Sequence, residues 1–99
     1  MDPLIANSLD RILEIARDHG VRGMRIFGSR AKGEAHESSD LDLLVQMEDG
    51  RNLWDLAGFR VELEDLLGCR VDVVTESALS PYLRESILSE AVSLDPEAA

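Results

Sequence analysis

Two short apolar segments joined by an amphipathic helix constrain the fold of this chain more than any other feature. Residues 40–47 and 70–75 have the length and the apolar, β-branched content of strands. Between them, residues 52–68 carry apolar side chains at helical spacing, with Asn52 suited to cap a helix and Gly68 suited to end it. A strand–helix–strand unit normally places its strands parallel in one sheet. We therefore predict that these two segments pair in parallel.

The rest of the chain extends this unit into an α/β (α+β) fold. We predict a helix over about residues 3–19 capped by Asp2, a strand over residues 21–27, a short helix that Ser29 caps, and a last helix that opens at Ser80 and Pro81. The order is α-β-α-β-α-β-α, giving a small mixed sheet of about three strands flanked by helices. The short connection between the first two strands predicts that they run antiparallel.

Carboxylates stand where the second and third strands begin. In residues 40–47, the apolar Leu41, Leu43 and Val45 alternate with acids, so Asp40 and Asp42 point away from the core. Asp72 lies at the start of the third strand, and parallel pairing brings it beside the first two. The antiparallel first strand brings residues 28 and 29 to this same end of the sheet.

This set of side chains has the chemistry of a nucleotide site. Three clustered carboxylates are costly unless a cation compensates them, and Mg²⁺ prefers oxygen ligands. We predict that Asp40, Asp42 and Asp72 are the metal-binding and catalytic residues of a site for two Mg²⁺ ions. Gly28 would let the backbone approach a phosphate, and Ser29 would offer it a hydroxyl and an N–H group.

The charge distribution limits the class of partner. The net charge is −10, from 20 acidic and 10 basic residues. Such a surface disfavours direct binding of nucleic acid and suits a basic protein partner. Residues 21–33 are an exception, with Arg22, Arg25, Arg30 and Lys32 and no acid. This stretch is either a solvated basic edge or charge compensation for a bound polyphosphate; in the second case Arg30 and Lys32 would bind the nucleotide.

Length and composition predict one domain over residues 1–99, with a frayed tail over about residues 95–99. No apolar run is long enough for a membrane helix, and the N-terminus lacks the basic region of a secretory signal. The single cysteine, Cys69, has no internal disulfide partner and is expected to be a buried, inert thiol. We therefore expect a cytoplasmic protein without a membrane partner.

The spacing of these residues resembles a known family. Gly28 and Ser29, followed after ten residues by Asp40 and Asp42, match the G-S-x10-D-x-D signature of the minimal nucleotidyltransferases of the DNA polymerase β superfamily. The third aspartate of that family falls on Asp72, and the resemblance covers nearly the whole chain. Members that act as polymerases or modify antibiotics carry a second domain for their acceptor, and we expect none here.

The resemblance implies a function as well as a fold. Minimal members are typically encoded beside a HEPN-type toxin, and they are similar to antitoxins that transfer AMP from ATP to a tyrosine hydroxyl of that toxin. A homodimer or a hetero-oligomer is plausible for so small a chain. The base of the nucleotide is not determined by the sequence, because no aromatic clamp or amide pair stands out as its reader.

Two other functions stay open at this stage. The chain could be a non-catalytic antitoxin that neutralises its partner by complex formation, as its small size and acidity allow. It could instead be a polymerase-like enzyme acting on RNA ends, which the net charge of −10 disfavours.

Overall fold

The computed structural model describes residues 2–34 and 40–94. Within these residues the helices are α1 (Pro3–Asp18), α2 (Ser29–Lys32), α3 (Leu53–Leu67) and α4 (Pro81–Glu90), and the strands are β1 (Val21–Phe27), β2 (Leu41–Met47), β3 (Val71–Thr75) and β4 (Val92–Ser93). A 3₁₀ turn, Glu76–Ala78, follows β3. The predicted frayed tail, residues 95–99, lies outside the described residues.

The strands form one mixed sheet in the order β3-β2-β1-β4. Strands β2 and β3 are parallel, and β1 and β2 are antiparallel, which confirms both predicted pairings. The prediction of about three strands missed β4, which pairs antiparallel with the outer edge of β1. Two residues are too short to show the alternation by which a strand is recognised in a sequence.

The helix starts follow the predicted capping chemistry. Asp2 caps α1, with its Oδ1 accepting a hydrogen bond of 2.8 Å from the Leu4 N–H group, and Pro3 occupies the first turn. Asn52 caps α3 in a reciprocal capping box with Asp55. Backbone hydrogen bonding to Asn52 lowers the pKa of Asp55 below its usual range. Local sequence thus fixes where both helices begin.

One face of the sheet is covered by α1 and α3, and the core lies between them. The predicted inward residues of β2, namely Leu41, Leu43 and Val45, are all buried. The core also contains Ile5, Ile12 and Ile15 of α1, Met24 and Ile26 of β1, Phe59 and Leu63 of α3, Val71 of β3, and Leu94. Burying these apolar side chains is the main source of stability. No helix in the described ranges has the length and apolarity needed to cross a bilayer.

A β-bulge explains the irregular alternation of β1. Val21 pairs with Met47 and Gly23 with Gln46, so Arg22 is an extra residue opposite a continuous β2. The extra residue shifts the phase of the strand, which lets both Val21 and Met24 face the core. Arg25 therefore lies on the opposite face of the sheet from Val21.

The second face of the sheet, here called the open face, carries Gly23, Arg25, Asp42, Leu44 and Gln46 by strand alternation. Arg25 and Asp42 are partly exposed and Gln46 is exposed, in contrast to the core face. Leu44 is the exception: its side chain is buried although it lies on the open face. This face contains the residues on which the predicted site depends.

Candidate functional site

The Gly-Ser turn lies directly against the second aspartate of the D-x-D motif. Phe27, the last residue of β1, pairs with Asp42 of β2, so Gly28 follows immediately beside that carboxylate. Gly28 has a φ of +75°, and a Cβ at this position would collide with the Asp42 side chain. Glycine is therefore required both by the backbone conformation and by the space that the carboxylate occupies.

The parallel pairing of β2 and β3 places Asp72 next to Asp42. The two residues are register partners, so their side chains project from the same face of adjacent strands. Burial raises the pKa of Asp42, and the charges of Asp72 and then Asp40 raise it further. Asp40 is exposed just before β2, and the Asp72 side chain is 48% exposed, with Arg70 3.9 Å away. The charges of the other two aspartates thus act on Asp42.

These aspartates do not form a closed metal cage by themselves. Within residues 2–34 and 40–94, no group of three or more His, Cys, Asp and Glu side chains is gathered closely enough to hold a metal ion. Their mutual repulsion and their oxygen chemistry nonetheless fit a divalent cation such as Mg²⁺, which prefers few protein ligands together with waters and phosphates. The three-carboxylate metal site stays a prediction.

The turn that follows β1 differs in detail from the prediction. Gly28, rather than Ser29, is the N-cap of α2, and Ser29 is the first helical residue. The Gly28 carbonyl accepts hydrogen bonds of 3.2 Å from both the Ala31 and Lys32 N–H groups. Gly33 ends the helix in the left-handed conformation, as predicted. A single helical turn therefore begins directly after Gly28, with Ser29 as its first residue.

Arg30 is placed inside the molecule, unlike the cation expected from the sequence. Its Nη1 lies 3.0 Å from Oδ2 of Asp2, and its side chain is 4% exposed. The other oxygen of Asp2 caps α1, so one carboxylate joins the start of that helix to α2. This geometry favours a role in positioning the turn over the predicted direct contact with a nucleotide. Sequence reasoning found the cap but had no signal for a partner 28 residues away.

Lys32 is in a different situation from Arg30. Its Nζ lies 3.5 Å from Glu90 of α4, and both side chains are well exposed. Such a pair is weak and can be exchanged for a stronger anion. Contact of Lys32 with a nucleotide therefore stays a prediction.

The basic stretch as a whole is mostly paired internally. Besides these two cations, Arg25 lies 3.8 Å from Glu76, which also pairs with Arg84 at 2.7 Å. Neither interpretation made from the sequence describes it fully, because acids from distant parts of the described chain pair with at least three of its cations.

A cavity of about 680 Å³ opens on the open face, farther along the strands than the carboxylates. Its walls include Gly23 and Arg25 of β1, Leu44 and Gln46 of β2, and Glu76 of the turn after β3. No local pattern in the sequence predicts this cavity, because its walls come from separate segments of the chain.

Known proteins share this arrangement. The profile of the family described as "Nucleotidyltransferase domain" matches residues 9–94. The protein adenylyltransferase MntA of Thermococcus cleftensis is 40% identical over 79 residues, which are 80% of this chain and 80% of that protein. A solved structure assigned as a minimal nucleotidyltransferase is 49% identical, has a TM-score of 0.77, and is matched over 93% of this chain and 95% of that chain.

A more distant match has the same fold. It is a chain from the complex of a tri-AMPylated Shewanella oneidensis HEPN toxin with an MNT antitoxin, 20% identical with a TM-score of 0.67 over 91% of this chain and 71% of that chain. The fold and the profile match agree with the Gly-Ser and D-x-D geometry described above. The chain therefore belongs to the nucleotidyltransferase domain family, and its relatives include minimal nucleotidyltransferases.

Proposed function

We propose that this chain is a Mg²⁺-dependent protein adenylyltransferase that transfers AMP from ATP to a tyrosine hydroxyl of a HEPN-type toxin. The transfer would make it the antitoxin of that partner, in the cytoplasm and within a hetero-oligomer. The observation that carries the proposal is the contact of Gly28 with Asp42, beside the register pair Asp42 and Asp72. It joins a phosphate-binding turn to a carboxylate row.

The turn would bind the pyrophosphate end of ATP. Gly28 has no side chain, so the backbone can approach the β- and γ-phosphates closely, and Ser29 would donate its hydroxyl and N–H hydrogens to their oxygens. Lys32 would leave its exposed ion pair with Glu90 and bind a phosphate oxygen instead. Its positive charge would then stabilise the negative charge that develops on the leaving pyrophosphate. Arg30, buried against Asp2, would hold this turn in place.

The carboxylates would hold the metal and the acceptor. Asp40, Asp42 and Asp72 would ligate Mg²⁺, which supplies charge neutralisation at the phosphates and lowers the pKa of the attacking hydroxyl. Asp72, half exposed at the start of β3, would also accept the proton of that hydroxyl.

The reaction is one displacement at phosphorus. The tyrosine oxygen attacks the α-phosphorus, a new O–P bond forms, and the bond from that phosphorus to the oxygen bridging to the β-phosphate breaks. Pyrophosphate leaves with the electron pair, and Asp72 receives the proton. The products are an adenylated tyrosine and pyrophosphate.

The relatives support the choice of substrate. The Thermococcus cleftensis relative is a protein adenylyltransferase, and a protein of the same fold occurs in complex with an AMPylated HEPN toxin. The net charge of −10 suits a partner that binds nucleic acid and is therefore basic.

Labelled ATP tests the proposal directly. The protein would be incubated with magnesium, ATP labelled at the α-phosphate, and the protein encoded by the adjacent reading frame. We expect wild type to transfer label to a tyrosine, and Asp42→Asn to lose at least about 100-fold in rate, because charge stabilisation at the phosphates is removed. Absence of transfer by wild type would refute the proposal.

An exposed acid away from the site provides the control. Asp65→Asn on α3 removes the same charge and should retain full transfer.

Co-expression with the toxin then separates catalysis from simple binding. If Asp40→Asn/Asp42→Asn protein binds the toxin and still neutralises it, the chain acts by complex formation instead.

A further inference from the structure

We infer that the cavity on the open face receives the segment of the partner protein that carries the acceptor tyrosine. This inference rests on the proposed function and assigns a place to its second substrate. The cavity lies beside Gly23, Leu44 and Gln46, outside the carboxylate row and the Gly-Ser turn.

The direction of the reaction points to this cavity. In a displacement at phosphorus, the attacking and leaving oxygens lie roughly in line on opposite sides of the phosphorus. Gly28 and Ser29 lie beyond the last residue of β1, so the leaving pyrophosphate would extend past the end of the sheet. The opposite direction from Asp42 runs back over the open face, towards Leu44 and Gln46.

The distance along β2 suits a tyrosine. Leu44 follows Asp42 by two residues, roughly 7 Å along the strand, which is close to the length of a tyrosine side chain. A hydroxyl held near Asp42 and Asp72 would therefore leave its main chain over Leu44, and the flanking residues of the segment would continue over Gln46 and Gly23. Around Gly23 and the buried Leu44, the cavity is lined by polar side chains that include Arg25 and Gln46, which can form hydrogen bonds with the main chain of the partner segment.

Gly23 creates much of the space. It pairs with Gln46 in the middle of the sheet, beside the bulge at Arg22. It is not among the glycines with positive φ, so the backbone here does not require glycine. A Cβ would lie 3.7 Å from Gln46 Oε1, an ordinary contact, so a side chain would occupy the cavity without clashing. A glycine inside a strand often marks the close approach of a ligand or another backbone.

A graded series at Gly23 tests the inference. Wild type, Gly23→Ala and Gly23→Val would be compared for the KM of the toxin in the labelling assay, and for the Kd of a fluorescent ATP analogue with magnesium. We expect Gly23→Val to raise the toxin KM at least about tenfold, with a smaller rise for Gly23→Ala. The Kd of the ATP analogue should not change in either variant.

Gln46→Trp fills the same cavity from the neighbouring strand and should also raise the toxin KM. Thermal melts would verify that each variant is folded, and Gln46→Trp carries the test if Gly23→Val is not. A filled cavity with unchanged toxin KM in an active enzyme would overturn the inference and leave the proposed function intact. A weaker Kd for the ATP analogue would also overturn it, because the nucleoside would then occupy the cavity. If wild type transfers no label at all, both proposals fail.

Discussion

The two faces of the sheet differ in what their side chains contribute. On the face covered by α1 and α3, Leu41 and Leu43 are fully buried against other apolar side chains. On the open face, Asp42 lies beside Gly28 and is repelled by Asp40 and Asp72. Along β2, the apolar residues that face the core therefore stabilise the fold, and Asp42 between them destabilises it. The core face supplies the stability that allows unfavourable charges to be held together on the open face.

The largest effect on stability is expected on the core face. Leu43→Ala removes a fully buried side chain and should lower the free energy of unfolding by about 2–5 kcal/mol. Val61→Ala, at a site 54% exposed on α3, is the control and should cost far less. Urea denaturation measures both variants. Equal costs would mean that the core does not lie where the structure places it.

Arg30 belongs to the turn of the open-face site but is buried like a core residue. Arg30→Ala leaves the Asp2 carboxylate without its buried partner and should cost about 3–5 kcal/mol. Asp2→Asn is the matched variant, because asparagine also caps helices but lacks the charge. A double-mutant cycle with Arg30→Ala and Asp2→Asn should give a clear coupling energy. Additive costs would show that the two side chains do not interact in solution.

Gly28→Ala tests the contact between the turn and the carboxylate. Gly28 has φ +75° and ψ −156°, a combination essentially confined to glycine, so the backbone alone should cost about 1–3 kcal/mol, and the added methyl group would also displace Asp42 and reduce nucleotide transfer. Gly33→Ala is the control, since Gly33 also has a positive φ (+74°, with ψ +16°) and no atom of the described residues lies within 4 Å of the added Cβ. It should carry only the backbone cost. Equal loss of activity in the two variants would argue against contact with Asp42.

Asp42→Asn is expected to stabilise the metal-free protein slightly at neutral pH. The folded pKa of Asp42 is raised above its unfolded value, so the folded state holds the proton more tightly. Its contribution to stability is therefore full below the unfolded pKa and is lost as pH rises through the folded pKa. Asparagine avoids that loss, so the melting temperature should exceed that of wild type at pH 7 and match it near pH 3.

Melting curves in EDTA at these two pH values check this prediction, with Asp65→Asn as the control. A lower melting temperature for Asp42→Asn at pH 7 would show that the carboxylate is stabilised by the fold. The charge of Asp42 would then not destabilise the fold, and the two faces of the sheet would not differ in this respect.

Much of the fold could be predicted because local patterns specify it. The alternation of Leu41, Asp42 and Leu43 gave the faces of β2, and the connection lengths gave the strand directions. From these, the proximity of Gly28, Asp42 and Asp72 followed without any knowledge of side-chain packing.

What could not be predicted depends on contacts between distant residues. The pairing of Arg30 with Asp2 joins two segments that no local pattern connects, so the buried ion pair was not foreseen, and contact of Arg30 with a nucleotide stays a prediction. The bulge at Arg22 was visible only as irregular alternation, and the two-residue β4 had no pattern at all. The cavity over Gly23 requires the positions of β1, β2 and the turn after β3 together.

The carboxylate of Asp2 also couples the local unfolding of two parts of the chain. One oxygen holds the first turn of α1 and the other holds Arg30 in α2, so neither turn can unfold locally without releasing the other. These turns should open as one cooperative unit, and the backbone amides of residues 5–6 and 31–32 should exchange with deuterium at similar rates. The turn that follows Gly28 is then as long-lived as the start of α1, to which Asp2 connects it.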